Sequence, residues 1–179
     1  ALESQRMTEP ISPRLSIATM KKYLIGGQSP IQPRDFIIKE LQRVRGNLGP
    51  QHFPLHEKPD EASYRHRLER MEALCANLVP VVMTGVYWGD EQYAQLWKRC
   101  VETLARRERT EGTSYTPWSS LQYYPATLVL YAAGIAAISK GSYSLLKLLL
   151  EDSIGKDFLQ QDLIDEYPIW QVLNAMSCF

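Results

Sequence analysis

The sequence predicts an all-α fold. Three observations carry the prediction. Apolar residues recur at steps of three and four through most of the chain after residue 60. No segment there alternates apolar and polar residues as a half-buried strand does. The periodic segments are also bounded by residues that start and stop helices. The expected arrangement is antiparallel helical hairpins packed as a bundle or as an irregular helical-repeat array, preceded by an irregular Pro/Gly-rich N-terminal segment. Residues 1–59 form that segment, with one helix at about 33–46, and residues 60–179 form a helical domain.

Residues 1–34 hold Pro10, Pro13, Pro30 and Pro33, with Gly26 and Gly27 between them, and such residues punctuate rather than build elements. Within this stretch LSIATMKKYLI is compatible with a short helix or a strand. Pro33 is placed to open a helix through RDFIIKELQRVR, with Phe36, Ile37, Leu41 and Val44 on one side and Gly46 and Asn47 at its end. A second proline-rich loop, GNLGPQHFPLHEKP, follows. Asp60 is a good N-cap for the next helix. In it Leu68, Met71, Cys75, Leu78, Val82 and Val86 make one apolar stripe, while Arg65, Arg67, Glu69, Arg70 and Glu72 stay in water. Pro80 lacks a backbone N–H and should kink or split this helix.

WGDEQY is a turn with Asp90 as the next cap. The helix after it turns Tyr93, Leu96, Trp97, Cys100 and Leu104 inward, and its basic end, Arg106, Arg107 and Arg109, suits the negative helix pole. Thr116 and Pro117 open another helix. Beyond it, YPATLVLYAAGIAAISKGSYSLLKLLL carries Tyr124, Leu128, Tyr131, Ile135 and Ile138 on one stripe with Leu121, and the small residues Ala126, Ala132, Ala133 and Ala136 on the reverse. A helix apolar all round is expected to be buried. Its charge-free run approaches the ~20 residues of a membrane span, but Pro125, Gly134 and the alanines give it little apolar area, so a core helix is expected. KDFLQQDLIDEY and PIWQVLNAM read as two further short helices.

Two parts of the chain match in outline. Gly85 and Gly134, and likewise Tyr93 and Tyr143, stand about 50 residues apart, each glycine followed by a polar turn and a tyrosine that opens a second helix. GVYWGDEQYAQLWKRCVE and GIAAISKGSYSLLKLLLED resemble tetratricopeptide-type hairpins, in which a glycine lets two helices approach. The spacing exceeds the ~34 residues of that family, so the resemblance implies no regular array. YPATLVLYAAGIAAISKGSYSLLKLLL also resembles helical regions of bacterial multidomain proteins of defence and signalling type. That resemblance implies an accessory helical module and brings no catalytic residue with it.

Lysine plus arginine equals aspartate plus glutamate, so no global field favours nucleic acid or an anionic membrane. Three widely spaced cysteines, Cys75, Cys100 and Cys178, fit reduced thiols in a cytoplasmic protein better than a disulfide framework. Cys75 and Cys100 sit on inner faces and are expected to be inert. No metal site is expected: His52 and His56 lie in a proline-rich loop and His66 on a charged helix face, with no close pair of ligands. No cofactor is expected either, since LIGGQS lacks the ending of a phosphate loop. Asp35, Lys39 and Glu40 share one helix, where ion pairs explain them, and the run Glu151, Asp152, Asp157, Asp162, Asp165 and Glu166 lacks calcium-loop spacing. The basic residues Lys98, Arg99, Arg106, Arg107 and Arg109 are interrupted by Glu102 and Glu108. What remains are aromatics near the turns. Tyr87, Trp88, Tyr115, Trp118 and Tyr123 are the candidate partner-binding residues.

No catalytic residue is assigned. Residue 1 is Ala and Phe179 follows an apolar stretch, which suggests a piece of a larger intracellular protein; a start at Met7 is the alternative. The expected function is a helical protein-interaction or regulatory module that binds a protein partner or a neighbouring domain of the same chain. The competing classes are a metal-dependent hydrolase or nuclease using the N-terminal third, and a nucleic-acid-binding helical domain.

Overall fold

A computed structural model of the chain describes residues 12–26, 29–106 and 115–151. The described residues contain eight α-helices, one 3₁₀ turn and no strand. Arg107, Arg109, the acidic residues from Asp152 to Glu166, Trp170, Cys178 and the two short helices expected after residue 155 lie outside them.

Helix α1, Pro13–Ile25, corrects the expectation of an irregular start. Its proline stands in the first turn, where the missing N–H is an orphan anyway, and Met20 is wholly buried. Helix α2, Ile31–Gly46, begins two residues before the expected Pro33, and buries Pro33, Ile37, Leu41 and Val44. Asp60 caps α3, Glu61–Cys75, through a reciprocal pair: Ser63 N donates to its carboxylate at 2.7 Å and Asp60 N donates to Ser63 Oγ at 3.1 Å. Hydrogen bonds from the Ser63 backbone N–H and then its side chain hold the Asp60 carboxyl below its ordinary pKa. The long stripe breaks at Ala76 and Asn77, and α4, Leu78–Trp88, continues at 47° with Pro80 in its first turn. A 3₁₀ turn, Glu91–Tyr93, leads into α5, Ala94–Ala105, which buries Trp97, Cys100, Val101, Leu104 and Ala105. Asp90 precedes the turn, but its carboxylate caps no helix N–H.

Helix α6, Thr116–Leu121, is followed by α7, Tyr124–Lys140, and α8, Tyr143–Glu151. Gly141, at φ 75°, ends α7: its N–H and that of Ser142 fold back on the carbonyls of Ile138 and Ala137, at 3.0 and 2.8 Å. Only a residue that tolerates the left-handed region suits that place. The stretch Thr116–Lys140 is long and apolar enough to cross a membrane, and half of its most apolar window is buried within the protein.

The centre of the molecule is the crossing of α4 and α7. One hydrophobic cluster runs from Met20 and Ile37 through Leu78, Val82 and Trp97 to Ala133, Ala137 and Leu149, across both sides of residue 59. Helix α7 meets this cluster with its small face: Ala126, Val129, Ala132, Ala133, Ala136 and Ala137 are buried. The expectation of a helix buried all round therefore holds for the small face and fails for the large one. Tyr131, Ile135 and Ile138 are 69%, 56% and 55% exposed. Both faces are apolar, so burial of area alone does not choose between them. Small side chains let α7 approach its neighbours at close range, and fit decides.

The hairpin picture also changes. Helix α4 packs chiefly on α7 and α1, and meets α5 over a short length. Tyr124 Oη donates to the Glu72 carboxylate at 2.5 Å at one end of α7, and Lys140 Nζ reaches the carbonyls of Val86 and Gly89 at the other. Helices α4 and α7 thus run in the same direction, side by side. A second cluster lies under the 48–59 loop, where Phe53 and Leu55 join Met71, Trp118 and Leu121.

Candidate functional site

The two polar turns that match in the sequence come together in space. The turn after α4 and the turn after α7 line one cleft of about 540 Å³. Val86, Gly89, Asp90, Glu91 and Ala94 come from the first, Lys140 to Leu145 from the second, and Trp97 lies between them. Local chemistry explains the convergence. Lys140 is the last residue of α7, and its ammonium donates to carbonyls left over at the C-terminal end of α4, where the helix dipole favours a cation. Ser144 Oγ donates to the Glu91 carboxylate at 3.4 Å, a weaker tie between the same two turns.

With Lys140 directed at backbone, the cleft presents two exposed carboxylates, Asp90 and Glu91, and an exposed phenol, Tyr143. Tyr87 and Trp88 follow the lining residue Val86 in the sequence but do not themselves line the cleft; they are half exposed and edge to face with ring centroids 5.7 Å apart. Lys21 of α1 places its ammonium 5.3 Å from the Trp88 ring. The cleft offers acidic oxygens, hydroxyls and aromatic faces, which suit a cationic or amphipathic guest.

Of the five aromatics expected to bind a partner, Tyr87 and Trp88 are accessible and contact each other, but neither lines this cleft. Tyr115 is accessible but lies elsewhere, its N–H donating to Leu55 O at 3.3 Å. Trp118 and Tyr123 are corrections, because both are buried. Trp118 Nε1 donates to Glu57 O at 2.6 Å, Tyr64 stacks on its ring, and the Arg67 guanidinium lies 3.9 Å over it. Arg67, expected in water, is only 5% exposed. It donates to Pro54 O and to the Glu57 carboxylate, both at 2.6 Å. Together Trp118 and Arg67 clamp the 48–59 loop. Tyr123 belongs to the main core. The cleft residues Asp90, Glu91, Lys140 and Tyr143 were missed as a group, although the matching turns WGDEQY and SKGSYS were the available signal.

The two proposed half-units differ at their glycines. A Cβ on Gly85 would lie 2.6 Å from Cζ2 of Trp97 and closer still to Cη2, so α4 and the Trp97 ring meet at the bare backbone. A Cβ on Gly134 would find only Leu146 Cδ1, at 3.7 Å, an ordinary contact. Tyr93 is half-buried and leans on Trp97, whereas Tyr143 is exposed.

The remaining candidates do not assemble. Asp35 and Lys39 are exposed on α2, and Glu40 is paired with Arg43 at 2.7 Å. Lys98 is paired with Glu102 at 3.6 Å. Among the described residues no three His, Cys, Asp or Glu side chains are grouped to hold a metal ion. Burial pushes the Cys75 and Cys100 thiols up to about 12, with Arg43 opposing and Glu40 adding to the shift at Cys75. Neither is a thiolate at neutral pH, and neither is a nucleophile in this setting. A second, small cavity of about 30 Å³ is lined by Arg45, Leu48, Met71 and Leu104 among others, and has room for little more than water. Comparison with known proteins finds no matching family model, no matching curated protein and no matching solved structure.

Proposed function

We propose that this chain is a helical interaction module that binds a basic, partly apolar segment of a protein partner or of a neighbouring domain in the cleft between the two turns. The observation that carries the reading is the convergence of those turns, which puts Asp90, Glu91 and the exposed ring of Tyr143 on one cleft. Oriented carboxylates next to aromatic surface steer a cationic segment and supply contact area. The side-by-side run of α4 and α7 supports treating the chain as two stacked helical units, as the tetratricopeptide resemblance suggests, without a regular period. The free, buried thiols of Cys75 and Cys100 support work in the reducing cytoplasm.

The test is selection from a displayed library of random peptides against the intact chain. Enriched peptides are expected to carry Lys or Arg next to apolar residues, to weaken as salt rises, and to lose at least tenfold in affinity for the Asp90→Lys, Glu91→Lys variant. Peptides without basic residues, or equal binding to that variant, would remove the cleft as the site.

A further inference from the structure

A different face of the molecule carries a second, independent reading. Tyr131, Ile135 and Ile138 follow one another at helical spacing along the outer side of α7. Single exposed apolar side chains are ordinary, but three large ones on one stripe, more than half exposed, are an unpartnered surface. No charged residue interrupts α7 before Lys140.

We propose that this stripe is the docking site for the chain's own residues 168–179. That segment, PIWQVLNAMSCF, carries no charge. Ile169, Val172, Met176 and Phe179 fall at steps of three, four and three, while Gln171, Asn174 and Ser177 fall between them. It is the apolar complement of the α7 stripe in both composition and period. Reach is not limiting. Helix α8 packs against α7 through a core that includes Leu145 and Leu149, and the described chain ends at Glu151. The residues from 152 to 167 span up to roughly 50 Å when extended and roughly 30 Å with the expected helix in KDFLQQDLIDEY, either of which exceeds the ~25 Å length of α7. A tether of this kind gives an effective concentration in the millimolar range. That favours the chain's own segment over a second copy at the micromolar concentrations of a dilute solution.

The native thiols provide the test. Cys75 and Cys100 are buried, so Cys178 is the partner to follow. In the full chain with Ile135→Cys, mild oxidation is expected to give an intramolecular 135–178 disulfide, read by peptide mass. It should form at least tenfold faster than the corresponding bridge from Arg34→Cys, on exposed α2 surface. In a second variant, Ile135→Glu with Ile138→Glu, alkylation of Cys178 is expected to accelerate about tenfold while Cys75 and Cys100 remain slow. Cross-linked dimers in place of the intramolecular product would assign the face to a second copy and overturn the proposal. So would equal rates for the two cysteine variants, or an unchanged Cys178 alkylation rate in the double-glutamate chain.

Discussion

Replacing Gly85 and Gly134 in turn by alanine should move stability in opposite directions. At Gly134 the new methyl meets only Leu146 at contact distance, so the helix gains propensity and loses nothing; stabilisation of roughly 0.5–1 kcal/mol is expected. At Gly85 the methyl enters the Trp97 ring, with Cζ2 at 2.6 Å and Cζ3 at 2.9 Å. Carbon atoms settle about 3.5–4.0 Å apart and Cη2 is closer still, so the ring must retreat by more than about 1 Å. Trp97 is among the largest fully buried side chains and the surrounding interior is dense, so that retreat is resisted. Contacts this close put the overpacking cost in the upper part of its range of about 1–3 kcal/mol, at about 2–3 kcal/mol, and propensity returns about 1, which leaves Gly85→Ala less stable by about 1–2 kcal/mol. Urea unfolding followed by circular dichroism measures both. The close contact also predicts coupling: with Trp97→Phe the ring is smaller, and the added methyl should then cost about 1 kcal/mol less than it does alone. A Gly85→Ala chain that unfolds at or above the parental midpoint would refute the reasoning.

Three other outcomes are expected. Arg67→Ala removes two hydrogen bonds of 2.6 Å and the cation over Trp118, and should cost about 2–3 kcal/mol in a urea melt, with Arg67→Lys recovering little because an ammonium cannot match the planar fork. Lys140→Met should cost about 1 kcal/mol by leaving α4 carbonyls without their cation; an unchanged midpoint would show that water replaces it. Stability should fall at alkaline pH. Burial pushes Cys75, Cys100 and Tyr124 up to about 12, the last with Glu72 beside it. These groups are held protonated in the fold while the unfolded chain releases its protons from about pH 8.5 upward for Cys and about pH 10 for Tyr. Their contribution is therefore complete below about pH 8.5 and is lost as pH climbs towards 12. Urea midpoints between pH 8 and 11 should decline, less steeply for Tyr124→Phe, and a flat profile would contradict the burial of these groups.

The helical class and the places of α2, α3 and α5 were readable because one face of each is apolar and the other is not, while α4, apolar nearly throughout, was legible as the continuation of the α3 stripe beyond a proline. Asp60 and Pro80 marked a start and a break by chemistry that acts within one turn. Helix α7 shows where the pattern stops informing. Its stripe was found at the right positions, but with apolar residues on both sides only the shape of the neighbours selects the alanine face. Helix α1 was obscured by the prolines and glycines around it, although Pro13 in its first turn was a legible start. Arg67 and Trp118 were misplaced for a different reason. Their burial depends on the 48–59 loop folding over them, a contact between segments that no local spacing encodes. The cleft was half legible: its two turns were paired by sequence, but their meeting rests on α4 and α7 lying side by side.

The bonds that join the helices connect distant parts of the chain. Trp118 and Glu57 are 61 residues apart, Arg45 and Thr103 58, Tyr124 and Glu72 52, and Lys140 and Gly89 51. An all-helical protein of this size would ordinarily fold fast through local contacts, but here much of the entropy of closing long loops is lost before the central crossing forms. Synthesis from the N-terminus sharpens the effect. When α4 leaves the ribosome, the face of it that α7 will cover has no partner until residues 124–140 have also emerged. For that interval the nascent chain carries an open valine-rich surface, which is the period when a chaperone has something to hold.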